Sequence, residues 1–236
     1  MELGEIITDA LTYPLQNIKA LVIYIILGII LGLAVGGTVA GVVVGSQANN
    51  ALAVIGSGIL GIIVALVLGF FISGYQLDIT KYGIERSSAG PEIDFVRQFI
   101  NGIKLFVVTI VYMIVPIIIS AILAVIFQHW LSTVITAILT IIFGLALIMG
   151  QCRLAKTEDL GFALAIGDAI GDISRIGIVK LLVFIILIFI VYFIIFFILG
   201  AISQWNATVG GILMGILGVY LTFFTGRATG LLYSDV

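Results

Sequence analysis

Three stretches of this chain carry no charged residue: positions 20–77, 105–152 and 181–226, of 58, 48 and 46 residues. A helix that crosses a bilayer needs roughly 20 consecutive apolar residues, so each stretch holds two spans and none holds three with turns. The chain therefore reads as six transmembrane helices in three hairpins. A polar break interrupts each stretch near its middle: Ser46-Gln47-Ala48-Asn49-Asn50, Gln128-His129-Trp130-Leu131-Ser132 and Ser203-Gln204-Trp205-Asn206. Turn backbone finds no hydrogen-bond partner in lipid, so these breaks are expected at the far surface. The spans are placed at about 20–45, 51–75, 105–127, 131–152, 181–202 and 208–226.

The 10 Lys and Arg and 12 Asp and Glu fall in four clusters, 2–19, 78–104, 153–180 and 227–235. Six spans put all four on one side of the membrane. Because Lys and Arg bias sets orientation, both termini and both long connections are expected in the cytoplasm, with the chain a multi-pass protein of the cell membrane. Composition agrees: 62% hydrophobic, 9% charged and a mean hydropathy of +1.37, against about 25% charged residues in a soluble domain. A net charge of -2 leaves no basic footprint for nucleic acid. One cysteine, Cys152, cannot form an internal disulfide, and one histidine, His129, cannot build a His-rich metal site. The start, MELGEIITDA, lacks the basic region and cleavage site of a removable signal peptide.

An internal period follows the charge map. Gly74, Gly150 and Gly226 end the three hairpins at spacings of 76 residues. Lys19, Lys104 and Lys180 each precede an apolar run, the last two again 76 apart, as are Gln128 and Gln204. The chain reads as three repeats, 1–78, 79–155 and 156–236, in one transmembrane domain. Each repeat opens with a segment of helical amphipathicity. Leu3, Ile6, Ile7, Ala10 and Leu11 oppose Glu2, Glu5 and Asp9, with Pro14 expected to close that helix. Ile93, Val96, Phe99, Ile100 and Ile103 oppose Asp94, Arg97, Gln98 and Asn101; Phe162, Ile166, Ala169, Ile173 and Ile176 oppose Asp168, Asp172 and Arg175. Such helices lie in the headgroup plane with the apolar face down. They serve either as struts over the bundle or as a docking face. On the second reading Asp9, Asp94, Arg97, Asp168, Asp172 and Arg175 are the candidate partner-facing residues. Two spans per unit make the repeats parallel, about a pseudo-threefold axis along the membrane normal.

Inside the spans the small residues are the notable pattern. Gly28, Gly32 and Gly36 recur every four positions, as do Gly37, Gly41 and Gly45, Gly211 and Gly215, and Gly226 and Gly230. Such stripes let helices approach closely in lipid, and Gly32 is expected to be a sensitive member. Pro116 is expected to bend the third span. No ionisable residue lies within the assigned spans, which argues against coupled transport, voltage sensing and proton pumping.

Catalytic constellations fail on geometry. Cys152 and His129 sit at opposite ends of one span, roughly 30 Å apart, too far for a nucleophile and its base. Ser132 follows His129 by three residues, but no carboxylate on that side orients the imidazole. The Gly167-Asp168 and Gly171-Asp172 pairs resemble the Gly-Asp element of intramembrane aspartyl proteases but lie on a polar interfacial face, without a second dry carboxylate. Asn206-Ala207-Thr208 matches a glycosylation sequon close against the sixth span. Nothing in the pattern points to a cofactor or a metal.

The chain resembles a domain-of-unknown-function family, numbered four thousand and thirteen, of polytopic membrane proteins from methanogenic archaea. The resemblance rests on Gly74-Tyr75, on Asn101-Gly102-Ile103-Lys104 leading into a span with Tyr112 and Pro116, and on Gly226 followed by Tyr233. It departs at Gly90-Pro91-Glu92-Ile93-Asp94-Phe95, where the family pattern has a Leu-Pro pair and a nearby tryptophan. The resemblance implies six spans and an archaeal cell membrane, and supplies no activity or site residues.

The expectation is an all-α, six-span, non-enzymatic bundle whose partners are the bilayer and a cytoplasmic or membrane protein. The leading function is a membrane scaffold or accessory subunit. The alternative is a passive channel or facilitator for a small solute or lipid along the pseudo-threefold axis, which a polar file along that axis would favour.

Overall fold

A computed structural model describes residues 1–126 and 130–236, with the side chains of 207 and 208 set aside. The described residues form α1 (Leu3–Gln16), α2 (Ile18–Gln47), α3 (Ala51–Ile84), α4 (Phe95–Ile126), α5 (Trp130–Thr157), α6 (Leu160–Ala163), α7 (Ile166–Ile176), α8 (Ile178–Trp205) and α9 (Ala207–Tyr233), with no strand among them. Six of these, α2, α3, α4, α5, α8 and α9, are long and apolar enough to cross a membrane. Their large side chains lie largely exposed, as lipid-facing surface must: Leu52, Val125 and Trp205 are 84, 80 and 90% accessible. Of the breaks expected at 46–50 and 203–206, residues 48–50 and 206 fall between helices, while Ser46-Gln47 and Ser203-Gln204-Trp205 remain in the ends of α2 and α8. In the third, expected at 128–132, Gln128 and His129 lie outside the described residues, as the His129 and Cys152 separation therefore does, and Trp130-Leu131-Ser132 open α5.

The helices run past the apolar stretches at the charged end. With 34 residues α3 is about 51 Å long, against roughly 30 Å of hydrocarbon. A helix leaving the bilayer keeps its internal hydrogen bonds and has no reason to unwind at the first charge. The charged ends of α3, α5 and α9 hold much of the core: Tyr75, Met149, Phe223 and Phe224 in the last turns of the apolar stretches and Ile79, Leu154 and Leu232 in the projecting turns are buried. These three helices contact one another, and each first helix of a hairpin packs on its second.

The amphipathic segments differ from expectation in two respects. The third, expected as one helix from Phe162 to Ile176, is divided at 164–165 into α6 and α7, and whereas segments 3–16 and 166–176 stand apart from their spans, 95–103 is the start of α4, continuous with the span, with Ile93 and Asp94 ahead of it. The second difference has a local cause. Gly177, at φ +93°, breaks α7 from α8, and Asn17, at φ -113° and ψ 45°, breaks α1 from α2. Asn101 holds the position 76 residues before Gly177 and remains helical. In α1, Glu2 and Glu5 form a capping box. Pro14 sits inside the last turn, so the helix ends two residues later than its proline suggests.

The glycine stripes are used unevenly. A Cβ on Gly28 would stand 2.6 Å from Val219 Cγ2 and 2.8 Å from the Gly215 carbonyl, whereas on Gly32 it would meet the Gly211 carbonyl at an ordinary 3.7 Å and on Gly36 nothing. The sensitive position is therefore Gly28 rather than Gly32. Gly28→Leu is expected to lower the thermal midpoint in detergent clearly more than Gly32→Leu; equal losses would place the α2 and α9 contact elsewhere.

Candidate functional site at the charged end

The first charged residue after each repeated glycine is Asp78, Arg153 or Arg227. Each reaches the segment that leads into a different hairpin. Buried Asp78 on α3 accepts from Arg97 Nη2 at 3.2 Å, Gln98 Nε2 at 3.2 Å and Asn101 Nδ2 at 2.9 Å, all on α4. Fully buried Gln98 in turn accepts from the Tyr24 hydroxyl at 2.5 Å and donates to the Glu92 carbonyl at 3.1 Å. Tyr24 stacks on Tyr75 with centroids 4.3 Å apart.

On α5, Arg153 spans α6 and α7. It meets Asp172 and Asp168, each at 3.1 Å, and donates from Nε to the Phe162 carbonyl at 2.9 Å. Asp172 also accepts from Arg175 at 3.2 Å and from the Tyr233 hydroxyl at 2.7 Å. On α9, Arg227 meets Asp9 of α1 through two nitrogens, at 2.7 and 3.3 Å. It also donates to the Ser87 carbonyl at 2.5 Å and lies 4.8 Å over the Tyr13 ring. Burial pushes the Tyr13 phenol up to about 12, with Arg227 opposing the shift.

Two outer clusters complete this end. Lys81 pairs with Glu158 at 2.5 Å while Lys104 donates to the Glu158 carbonyl at 2.9 Å. Asp235 gathers Arg86 at 2.5 Å, Lys180 at 3.2 Å and the Met1 ammonium at 3.4 Å. The Lys81 hydrogen bond and charge hold the Glu158 carboxyl below its ordinary value. For Asp235, partial burial raises the value, but Lys180 and the Met1 ammonium outweigh it and the net shift is downward. A carboxylate depressed in the fold stabilises it above the unfolded pKa and loses that contribution as pH falls through the folded one. Stability is therefore expected to fall as pH drops below about 4, an effect kept small by exposure and weakened by salt. A thermal midpoint unchanged between pH 6 and pH 3 at low salt would contradict it.

The six residues expected to face a partner thus take different roles. Asp9, Arg97 and Asp168 hold ion pairs to α9, α3 and α5. Asp94 caps α4, accepting from the Val96 and Arg97 amides at 3.1 Å each. Arg175 remains exposed beside Asp172, whereas Asp172 is 1% accessible and turned inward, so it presents nothing to a partner. Its inward turn follows from Arg153 and Tyr233, which helical periodicity on α7 alone does not reveal. Asp78, Arg153, Arg227, Gln98, Tyr24 and Tyr233 were the residues missed. For Asp78, Arg153 and Arg227 the legible signal is a charge one to four positions after a glycine of the 76-residue period, whereas Gln98, Tyr24 and Tyr233 carry no such mark.

Among the described residues no three His, Cys, Asp or Glu side chains gather as metal ligands. Cys152 is buried and donates weakly to the Thr229 carbonyl. Asn206 caps α9, its side chain accepting from the Val209 amide at 3.1 Å. The model of a family described as protein of unknown function (DUF4013) matches residues 60–204, which include Asp78 and Arg153 but not Tyr24, Tyr233, Asp9 or Arg227. No curated protein and no solved structure matches the chain.

Proposed function

The chain belongs to this family of proteins of unknown function, and we propose that it is a non-enzymatic membrane scaffold or accessory subunit. The observation that carries this reading is the filled centre at the charged end. Where α3, α5 and α9 meet, one core holds Leu77, Met149, Phe224 and Leu232, all buried. Every buried side-chain nitrogen and oxygen among the described residues already has a partner. A permeating polar solute needs groups free to replace its hydration, and an aromatic and aliphatic plug offers none.

The reading includes three parallel repeats, both termini in the cytoplasm and an archaeal cell membrane around the bundle. Support for the repeats comes from recurrent docking: α1 on α9, the start of α4 on α3 and α7 on α5. The partner of a scaffold would meet what these contacts leave outside, namely Glu2 and Glu5 on α1 and Asp168 and Arg175 on α7.

Reconstitution into vesicles with a panel of small solutes tests the first part. No flux above protein-free vesicles is expected, and solute-selective flux would replace the scaffold with a facilitator. A photo-crosslinking residue at Asp168 tests the second: a discrete protein adduct is expected in native membranes, absent when the same probe stands at lipid-facing Ile190. Equal adducts from both would remove the charged face from the reading.

A further inference from the structure

The hairpins are not joined alike. Between α3 and α4, Gly74 lies against the backbone of Gln98 and Gly102 against that of Phe70. Between α2 and α9, Gly28 and Gly215 admit each other's carbonyls. These close approaches are how helices associate in lipid, where hydrophobic force between them is small. The third interface would pair α5 with α8, and it lacks the device. Ile178 stands 76 residues after Gly102, and the single glycine of α8, Gly200, meets nothing within 4 Å. On α5, Gly144 meets nothing and Gly150 is filled by Tyr112. Accordingly α8 packs chiefly on α9, and α5 and α8 share no extended contact. The α4 and α5 hairpin therefore meets the α8 and α9 hairpin only through side chains of one shared core, among them Leu145, Met149, Phe184 and Phe224, with no close approach of α5 to α8, and this loose junction is a seam within the membrane.

Across the charged end of that seam lies the segment 159–176, containing α6 and α7. It is fastened to the second hairpin through Arg153 and through the Tyr112 hydroxyl, which donates to the Ala163 carbonyl at 2.8 Å. It is fastened to α9 through the Tyr233 hydroxyl on Asp172. Its two ends are left-handed joints, Glu158 at φ +58° and Gly177 at φ +93°. A non-glycine residue in that region is held there by its surroundings, here by Lys81 and Lys104 on the Glu158 side chain and carbonyl.

We propose that the α6 and α7 segment is a strap across a lateral seam between the second and third hairpins, turning at Glu158 and Gly177 and latched by Asp172. The latch is one buried carboxylate joining α5, α7 and α9: its loss cuts the tie to α9 and one tie to α5, while Tyr112 and the Arg153 bonds to Phe162 and Asp168 keep the strap on the second hairpin. This device does not depend on the scaffold reading.

Paired spin labels test it in the full chain. One pair, Ile141→Cys with Ile190→Cys, reports the distance from α5 to α8; a second, Val39→Cys with Ile212→Cys, reports α2 to α9. Asp172→Asn is expected to raise the long-distance population of the first pair on the order of tenfold, as loss of hydrogen bonds to charged groups implies, and to leave the second unmoved. Tyr233→Phe, which removes only the tie to α9, should widen the first pair to a lesser degree and serves where Asp172→Asn fails to fold. Movement of both pairs together, or of neither, would overturn the strap.

Discussion

Gly74→Ala is expected to destabilise the protein by about 3 kcal/mol, a large loss for one added methyl on a membrane helix. Alanine is the better helix former by about 1 kcal/mol, so propensity alone predicts a gain. The Cβ, however, would land on the Gln98 carbonyl and within 2.9 Å of its Cα. Backbone atoms cannot turn aside as a side-chain tip can, so α4 itself must retreat. Overpacking costs about 1 to 3 kcal/mol. Here the retreat also withdraws Gln98 from Tyr24 and from Asp78, leaving buried polar groups short of partners at about 1 to 3 kcal/mol more. The comparison is Gly36→Ala, whose Cβ meets nothing within 4 Å and which should be neutral or slightly stabilising. Thermal midpoints of the two variants in one detergent decide the matter. If they coincide, the close approach of α3 and α4 is wrong.

Arg227→Ala is the second large effect, expected at about 3 kcal/mol, the lower end of the range for breaking a buried ion pair. The lower end applies because Asp9 stays partly accessible and can recover water, its side chain being 39% exposed. Arg227, by contrast, is 3% accessible and ties α9 both to α1 and to the connection after α3. It grips both oxygens of Asp9, donates to the Ser87 carbonyl and stacks on Tyr13. Arg227→Lys should recover little, since one ammonium cannot replace a planar fork that is bidentate and stacked. The specific consequence is release of α1. Amide exchange over residues 3–16 should accelerate far more than over α7, even though the Tyr220 hydroxyl still donates to the Leu11 carbonyl. Uniform acceleration across both helices would mean general unfolding instead.

These two residues mark the boundary of what could be read from the chain alone. Gly74 was visible as a periodic landmark, recurring at Gly150 and Gly226, but its use was not. The three glycines meet different atoms: the Gln98 backbone, the Tyr112 ring and the Gln76 carbonyl. Arg227 was visible as a charge just beyond a span. That it dips inward rather than toward headgroups depends on α1 folding back over α9. The same holds for Asp172, which lies on the polar stripe of α7 yet ends buried between Arg153 and Tyr233. On an amphipathic helix lying over other helices rather than over lipid alone, polar does not mean outward.

The uncharged stretches by themselves determined six spans and three hairpins, because the cost of charge and of unpaired backbone in hydrocarbon leaves no other arrangement of such runs. The tertiary structure alone decided which glycines bring backbones together and where α4 stays continuous while α7 breaks from α8. It also decided that the scarce charges are spent mostly on one another. Those outcomes depend on which helix faces reach each other across long separations in sequence. Hydropathy along the chain carries no term for contacts between residues so far apart.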